Sequence, residues 1–371
     1  MQLNSLHLIN FKNHLSGDLE FGKQVNCFLG DNGSGKTNIL DALHYLCFCK
    51  SYFNPIDSQN ISHGEAFMMI KGEFSNHENE EIISCGVKRG VKKVFKRNEK
   101  PYSRLLEHIG KFPAVIIAPD DSEIVRGGSD VRRKWMDGVI SQFDRTYLEK
   151  LIDYKRAMAQ RNILLKYFAE NRLWDPSLIE PWDARIAPNA VYIARLRKEF
   201  IQNFLSVFIE VYCDICGGGE EVSLDYLSNV SENENDFLEL LKTSQEDDRR
   251  MRRMMCGVHK DDLVFKIGGN SLKKFGSQGQ QKTFLIAMKL AQLVFLEKTT
   301  GVKPILLLDD IFDKIDDKRV RALMSRVTDG TFGQIFITDT HLGRIPEMFK
   351  YIGVDVRVFE VIDGEVNILE A

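Results

Sequence analysis

The sequence predicts an α/β chain in which a parallel-sheet lobe is split in two by a mostly helical insertion. Three observations carry this. An apolar strand at 25–29 runs through a glycine-rich loop into a stretch where Ile39, Leu40, Leu43, Leu46 and Cys47 fall at helix-face spacing. A second strand, 304–308, is wholly apolar, as a buried parallel sheet requires, and ends on two aspartates. Between them lie two long helix-like stretches, 147–168 and 190–212, with Leu148, Leu151 and Ile152 at i, i+3 and i+4.

The remaining elements follow in order. The chain up to Gly30 reads as strands. Residues 81–87 and 91–97 flank Lys88-Arg89-Gly90 and predict an antiparallel hairpin. Residues 114–118 form an apolar strand closed by Pro119-Asp120. A glycine triplet at 217–219 precedes an acidic segment, 231–248, that reads as helix and loop. Leu263, Phe265 and Ile267 alternate along a strand at 262–267, and 280–295 is a helix carrying Phe284, Leu285, Met288, Ala291 and Phe295. A further apolar strand occupies 334–338, and 356–362 with 366–369 form a terminal hairpin around Asp363-Gly364. The expected division is a first lobe part at 1–120, a helical second lobe with the motif at 277–281 in 121–285, and the rest of the first lobe at 286–371.

Composition narrows the class. At 371 residues the chain has room for two to three units of roughly 150 residues. Hydrophobic residues at 43% and aromatics at 10% exclude wholesale disorder. No apolar run approaches the roughly 18 residues of a membrane span, so no membrane partner is expected. The N-terminus lacks a basic start followed by an apolar stretch, and seven cysteines are too few for a disulfide scaffold. A cytoplasmic chain with reduced thiols is the expectation. Cys47 and Cys49 read as core, and Cys213-x-x-Cys216 has no second Cys/His pair to complete a zinc site.

The loop GDNGSGKT at 30–37 fills the pattern G-x-x-x-x-G-K-[ST] and stands between strand and helix, as that pattern requires. Gly30, Gly33 and Gly35 let the backbone curl, so that its N–H groups, those of Asp31, Asn32 and Ser34 among them, point at phosphate oxygens. The helix opening at Lys36, Thr37 and Asn38 adds its N-terminal partial charge. Lys36 supplies a catalytic cation to the β- and γ-phosphates of ATP, and the Thr37 hydroxyl is a ligand for Mg2+. ILLLDD at 305–310 is the complementary strand, whose last carboxylates reach the sheet's C-terminal edge, where α/β ligands bind. Asp309 is placed to hold Mg2+ and Asp310 to orient or deprotonate an attacking water. Lys36 and Asp309 stand near opposite ends of the chain, a separation the helical insertion accounts for.

KKFGSQGQQK at 273–282 opens a predicted helix upstream of Asp309. Ser277, Gln278, Gly279 and Gln280 combine a hydroxyl, a glycine N–H and a helix N-terminus, again an anion site. This segment resembles the signature motif of ABC-type ATPases. More specifically, the chain resembles the RecF family of bacterial recombination mediators, relatives of the SMC-type ABC ATPases. The resemblance rests on LINFKNH at 8–14, GDNGSGKTNILDALHYL at 30–46, APDDSEIVRGGSDVRRKWMD at 118–137, YKRAMAQRNILLK at 154–166, GVHKDDL at 257–263, FGSQGQQK at 275–282 and LLLDDIFDKID at 306–316.

The resemblance implies an SMC-like ATPase lobe with an inserted helical lobe and no long coiled coil. It implies weak, DNA-stimulated ATP hydrolysis and an ATP-dependent homodimer in which residues 277–280 of one copy close over the nucleotide of the other. It implies binding to duplex DNA near gaps, and cooperation with RecR and RecO in loading RecA. Lys12 and Asn13 are expected near the nucleotide. Pro119-Asp120-Asp121 is the glutamine-loop candidate, and either Thr338 or His341 is the γ-phosphate sensor. The loop 312–316 keeps a final acid, Asp316, but lacks the serine its relatives often carry. Other ATPase roles fit less well. A transporter subunit matches neither these segments nor the insertion, a P-loop kinase would have no use for 277–281, and the stretch after Asp310 is too short for an appended nuclease domain.

The formal charge of −3, from 50 basic and 53 acidic residues, is unevenly spread. Seven cations lie within 88–100, opposed by Glu99 alone; Arg132, Arg133 and Lys134 form a second cluster, and Arg249, Arg250, Arg252 and Arg253 a third. Each cluster is either a phosphate-backbone contact or a charged face that resists aggregation.

Overall fold

The structure is a computed structural model that describes residues 1–76, 79–311, 332–341 and 354–369. The chain divides into two compact units. One comprises Met1–Asp121, Val211–Gly218 and Lys282–Ala371; the other Ser122–Glu210 and Gly219–Gln281.

The first unit opens with β1 (Gln2–Phe11), β2 (His14–Glu20) and β3 (Val25–Leu29), followed by α1 (Lys36–Phe48). Then come β4 (Phe67–Asn76), β5 (Asn79–Lys88), β6 (Val94–Arg97), β7 (Lys100–Pro101) and β8 (Ala114–Ile117). The predicted hairpin forms between β5 and β6, but β6 starts only at Val94. Lys93 explains the shortening: its ammonium turns inward to the Cys49 carbonyl at 2.6 Å and to Asp57 at 3.0 Å, pulling the connection off the ladder. An antiparallel sheet results, in the order β2-β1-β4-β5-β6-β7.

The second unit carries α2 (Ser122–Arg126), α3 (Ser129–Phe143), α4 (Arg145–Asn171) and α5 (Glu180–Cys216) as far as Glu210, the rest of α5 belonging to the first unit. α4 starts where the Asp144 side chain accepts from Tyr147 N, a helix cap. α5 begins at Glu180, well before the expected start at 190, and runs through Pro188. A proline deletes one backbone hydrogen bond, but Ile186, Ala187 and Ala190 around it are fully buried, so packing overrides the local break. The unit continues with β9 (Val222–Leu227), α6 (Glu234–Thr243), α7 (Gln245–Met251), β10 (Asp262–Ile267), β11 (Asn270–Ser271) and α8 (Leu272–Phe275). β9 lies between the glycines and the acidic segment, where no element was expected: it pairs antiparallel with β10, Leu224 opposite Phe265, in a sheet ordered β11-β10-β9, while α6 and the start of α7 occupy the acidic segment 231–248. Buried ion pairs tie the helices of this unit together. Arg161 meets Asp183 and Asp248, each at 2.5 Å, and Arg197 meets Asp261 at 2.6 Å and Asp137 at 2.8 Å. Charges this deep persist only when paired and hydrogen-bonded. Many of them come from the segments at 118–137, 154–166 and 257–263, which therefore build the frame of this unit.

The chain then forms α9 (Gln278–Thr300), β12 (Ile305–Leu308), β13 (Ile335–Asp339), β14 (Val356–Ile362) and β15 (Glu365–Leu369), completing the first unit. Its second sheet runs β15-β14-β3-β13-β12-β8, parallel except for β15. β3 and β12, far apart in sequence, flank β13, so their C-terminal ends share one edge. α1 is buried along most of its length, and its Leu40, Leu43 and Leu46 share one apolar core with Leu6 and Ile70 of the first sheet and Phe28 and Leu307 of the second.

Candidate nucleotide site

Three strand ends converge at the parallel sheet's C-terminal edge: Gly30 after β3, Asp309 after β12 and Asp339 closing β13. The loop 30–35 curls before α1. Asp31, Asn32 and Gly33 face solvent, whereas Ser34, Gly35 and Lys36 are buried. Lys36 Nζ donates to the Gly30 carbonyl at 2.6 Å and the Asp31 carbonyl at 2.8 Å. Burial pushes its pKa down, opposed by the nearby Asp310, Asp309, Asp31 and Asp339. The Ser34 hydroxyl is buried with no hydrogen-bond partner among the described residues. An orphaned donor in a loop with a buried cation suits an anionic ligand.

Thr37 Oγ1 donates to Asp309 Oδ1 at 2.8 Å, joining the two halves of the sequence. Thr338 Oγ1 donates to the same carboxylate oxygen at 3.0 Å, and its own oxygen accepts from Asp310 N at 2.9 Å. Burial raises the Asp309 pKa, with the two hydroxyls opposing. Thr37 and Asp309 are hard oxygen donors side by side, and a desolvated carboxylate is poised for a cation. Asp310 is half-buried and holds φ +47, in the left-handed region.

Other sequence candidates fall differently. Asn13 stands against the loop, donating to the Ser34 carbonyl at 2.9 Å and accepting from Asn38 Nδ2 at 2.7 Å. Lys12 does not point its charge at the loop: Nζ pairs with buried Asp41 at 2.7 Å and sits over the Phe11 and Phe53 rings. Asp121 is committed elsewhere, to Lys289 at 2.8 Å, to Ala118 N at 2.8 Å and to the Tyr52 hydroxyl, while Asp120 is exposed. Thr338, one of two sensor candidates, grips Asp309; His341 is exposed, its N–H on Asp339 Oδ1 at 3.2 Å. The loop 312–316 lies outside the described residues.

In the second unit, Ser277 opens α9 with a capping box. Its hydroxyl accepts from Gln280 N at 3.2 Å, and Gln280 Oε1 accepts from Ser277 N at 2.8 Å. Gln280 also donates to Glu220 at 2.8 Å, so its amide is already engaged, while Ser277 is exposed at the helix start. Gln278 is exposed beside them.

The basic clusters are thinner than their sequence suggests. Arg97 makes a bidentate pair with Glu81 at 2.6 Å, and Lys93 is turned inward as described. Arg132 is buried against Asp262 at 2.7 Å, and Arg133 donates to the Asp261 carbonyl at 2.6 Å. Arg249 lies over Trp174, and Arg250 pairs with Asp247 at 2.8 Å. Lys88, Lys92 and Lys100 in the first unit, and Lys134, Arg252 and Arg253 in the second, are exposed without an ion pair among the described residues. Cys47 and Cys49 are buried, Cys213 is exposed and Cys216 is half-buried.

Sequence reasoning gave no role to His14 or Gly364, yet both touch the loop. His14 Nε2 lies 3.0 Å from the Gly35 carbonyl, and Gly364 N donates to the Ser34 carbonyl at 2.8 Å. No local signal marks them, because the contact with Gly364 is made by a turn 350 residues after His14.

No helix among the described residues is long and apolar enough to cross a membrane. A family model described as an AAA domain matches residues 5–253. The DNA replication and repair protein RecF of Flavobacterium johnsoniae is 46% identical over 361 residues, covering 97% of this chain and all of the relative. The protein of the same name from Phocaeicola vulgatus is 47% identical, covering 99% of this chain and 98% of the relative. A solved structure of the recombination mediator protein RecF-ATP aligns with a TM-score of 0.90 at 29% identity, over 99% of this chain and 97% of that one. The Smc head domain of Pyrococcus furiosus, at 17% identity and a TM-score of 0.56 over 99% of this chain and 95% of that one, shares the fold. The chain belongs to the RecF family of DNA replication and repair proteins, with the fold of an SMC-type ATPase head.

Proposed function

We propose that this protein is an ATP-dependent DNA-binding switch of recombinational repair, whose slow, DNA-stimulated hydrolysis resets a dimer. The observation that carries this reading is the 2.8 Å contact from Thr37 to Asp309, which sets the phosphate loop beside the two-aspartate strand end. The residues at 30–38 hold the nucleotide, and Asn13 stands against the loop they form. Thr37 and Asp309 would hold Mg2+, which supplies charge neutralisation at the phosphates when bound. Asp310 orients or deprotonates the attacking water. Lys12, paired with Asp41, fixes α1 beside the loop.

Two copies pair so that Ser277, Gln278 and Gly279 of one cover the γ-phosphate held by the other. The pair forms on duplex DNA near gaps, in the cytoplasm, and helps RecR and RecO load RecA, a role tied to the SOS response. Light scattering on the full chain, with and without ATP and duplex DNA, tests the switch. A dimer that needs both supports it, and a mass unchanged by either refutes it.

Ser277→Arg separates pairing from binding. It removes a helix cap worth about 1 kcal/mol and sets a bulky side chain on the proposed covering surface. ATP still binds the monomer, and the ATP-dependent dimer is lost. A normal dimer in sedimentation would refute the cross-copy role of this segment.

The exposed cations predict a salt-dependent, sequence-independent grip on the phosphate backbone. Exchanging Lys88, Lys92 and Lys100 for Glu lowers the slope of log affinity against log salt by about 2 to 3. Affinity of the unaltered chain that stays flat from low to physiological salt would rule out backbone binding.

A further inference from the structure

Two segments distant from each other in sequence press on the outer side of the phosphate loop. Asn13 Nδ2 and Gly364 N both donate to the Ser34 carbonyl, at 2.9 and 2.8 Å. The His14 ring is 0% exposed and lies between two carbonyls, with Gly364 O 2.6 Å from Nδ1 and Gly35 O 3.0 Å from Nε2. The Gly35 oxygen also receives Asn38 N at 2.9 Å, so the carbonyl beside His14 is the one that starts α1. The fit leaves no room for side chains. A Cβ on Gly35 would overlap the Asn13 amide and His14 Nε2, one on Gly30 the Val361 carbonyl of β14, and one on Gly364 the Asn13 carbonyl. The hairpin turn reaches this approach with Asp363 at φ +48 and Gly364 at φ +87, the left-handed pair an Asp-Gly turn supplies.

A trans peptide is planar, and its carbonyl points opposite to the following N–H. Holding the Ser34 carbonyl on the outer side therefore turns the Gly35 N–H to the inner side. Holding the Gly35 carbonyl does the same for the Lys36 N–H. Both N–H groups belong to the phosphate cradle.

We propose that His14, Asn13 and the turn at Gly364 are positioning residues: a brace, closed by the terminal hairpin, that aims the Gly35 and Lys36 N–H groups at the phosphates of ATP. This rests on the reading of 30–37 as the ATP site.

The test is ATP titration and steady-state hydrolysis by the full chain with duplex DNA. His14→Phe keeps a ring but removes both nitrogens. It raises the KM for ATP about 10- to 100-fold, and kcat at saturation falls by less than KM rises. Gly364→Ala and Asn13→Ala also raise KM, the former through the hairpin alone. His14→Gln, retaining one amide donor, recovers part of the loss. A purely structural role would lower the folded fraction and hence the apparent kcat, with KM unmoved. If His14→Phe does not fold, the other two variants decide the matter. KM within about twofold of the unaltered chain in every folded variant overturns the brace. Lys36→Met separates the two levels: if it keeps ATP affinity, the ATP-site reading has failed; if it loses affinity while the brace variants bind normally, only the brace has failed.

Discussion

Lys36→Met abolishes measurable ATP binding while the chain stays folded. Lys36 Nζ closes the loop by donating to the Gly30 and Asp31 carbonyls, and burial pushes its pKa down, only partly opposed by Asp310, Asp309, Asp31 and Asp339. It is the buried cation of a loop otherwise made of backbone dipoles and an uncompensated serine hydroxyl. Charge-assisted hydrogen bonds contribute about 1.5–3 kcal/mol each, so losing the cation from a multiply charged phosphate weakens binding by at least about 100-fold. Methionine fills similar volume and carries no charge to desolvate, so the unliganded protein loses little stability. Thermal denaturation with ATP reads both effects. At 100 times Kd the unaltered chain gains about 2.7 kcal/mol, and the variant gains nothing at the same concentration. An ATP-induced shift of normal size in the variant would remove 30–37 from the binding site.

How much of this site was legible follows from how local each part is. The phosphate loop is written in one unbroken run, 30–37, because its chemistry is backbone curvature, and glycine spacing encodes curvature directly. The 305–310 strand is legible because a buried parallel strand must be apolar until it reaches the edge. Lys12 is harder to read, because a cation beside a nucleotide loop looks the same in sequence as one paired with Asp41. The basic clusters are thinned by contacts of the same kind: Arg97, Arg132 and Lys93 find acids or carbonyls 16, 130 and 44 residues away, and only folding brings them there. β9 stayed hidden because its alternation of Val222, Leu224 and Tyr226 is short and its partner strand arrives after two helices. His14 closes the motif at 8–14 yet carries no signal of its own, since its meaning depends on the turn at Gly364. Local chemistry was readable; compensation between distant residues was not.

Asp310→Asn slows hydrolysis by about 100- to 1,000-fold and leaves ATP binding intact, so the ATP-bound dimer accumulates. The substitution is informative because the backbone there is unusual. Asp310 holds φ +47, and asparagine is among the few residues that accept the left-handed region readily. Its N–H stays on Thr338 Oγ1, which also donates to Asp309, so the neighbouring carboxylate keeps its place. What changes is one charge: a carboxylate that can accept a proton from water becomes an amide that cannot. Asp309→Asn would instead alter the residue on which Thr37 and Thr338 converge, mixing binding with chemistry. Single-turnover hydrolysis with prebound ATP isolates the chemical step, and sedimentation with ATP and DNA follows the dimer. A rate equal to that of the unaltered chain would strip Asp310 of its role. A slow rate with weakened ATP affinity would make Asp310 a binding residue, and slow turnover without an accumulated dimer would separate hydrolysis from the release of the pair.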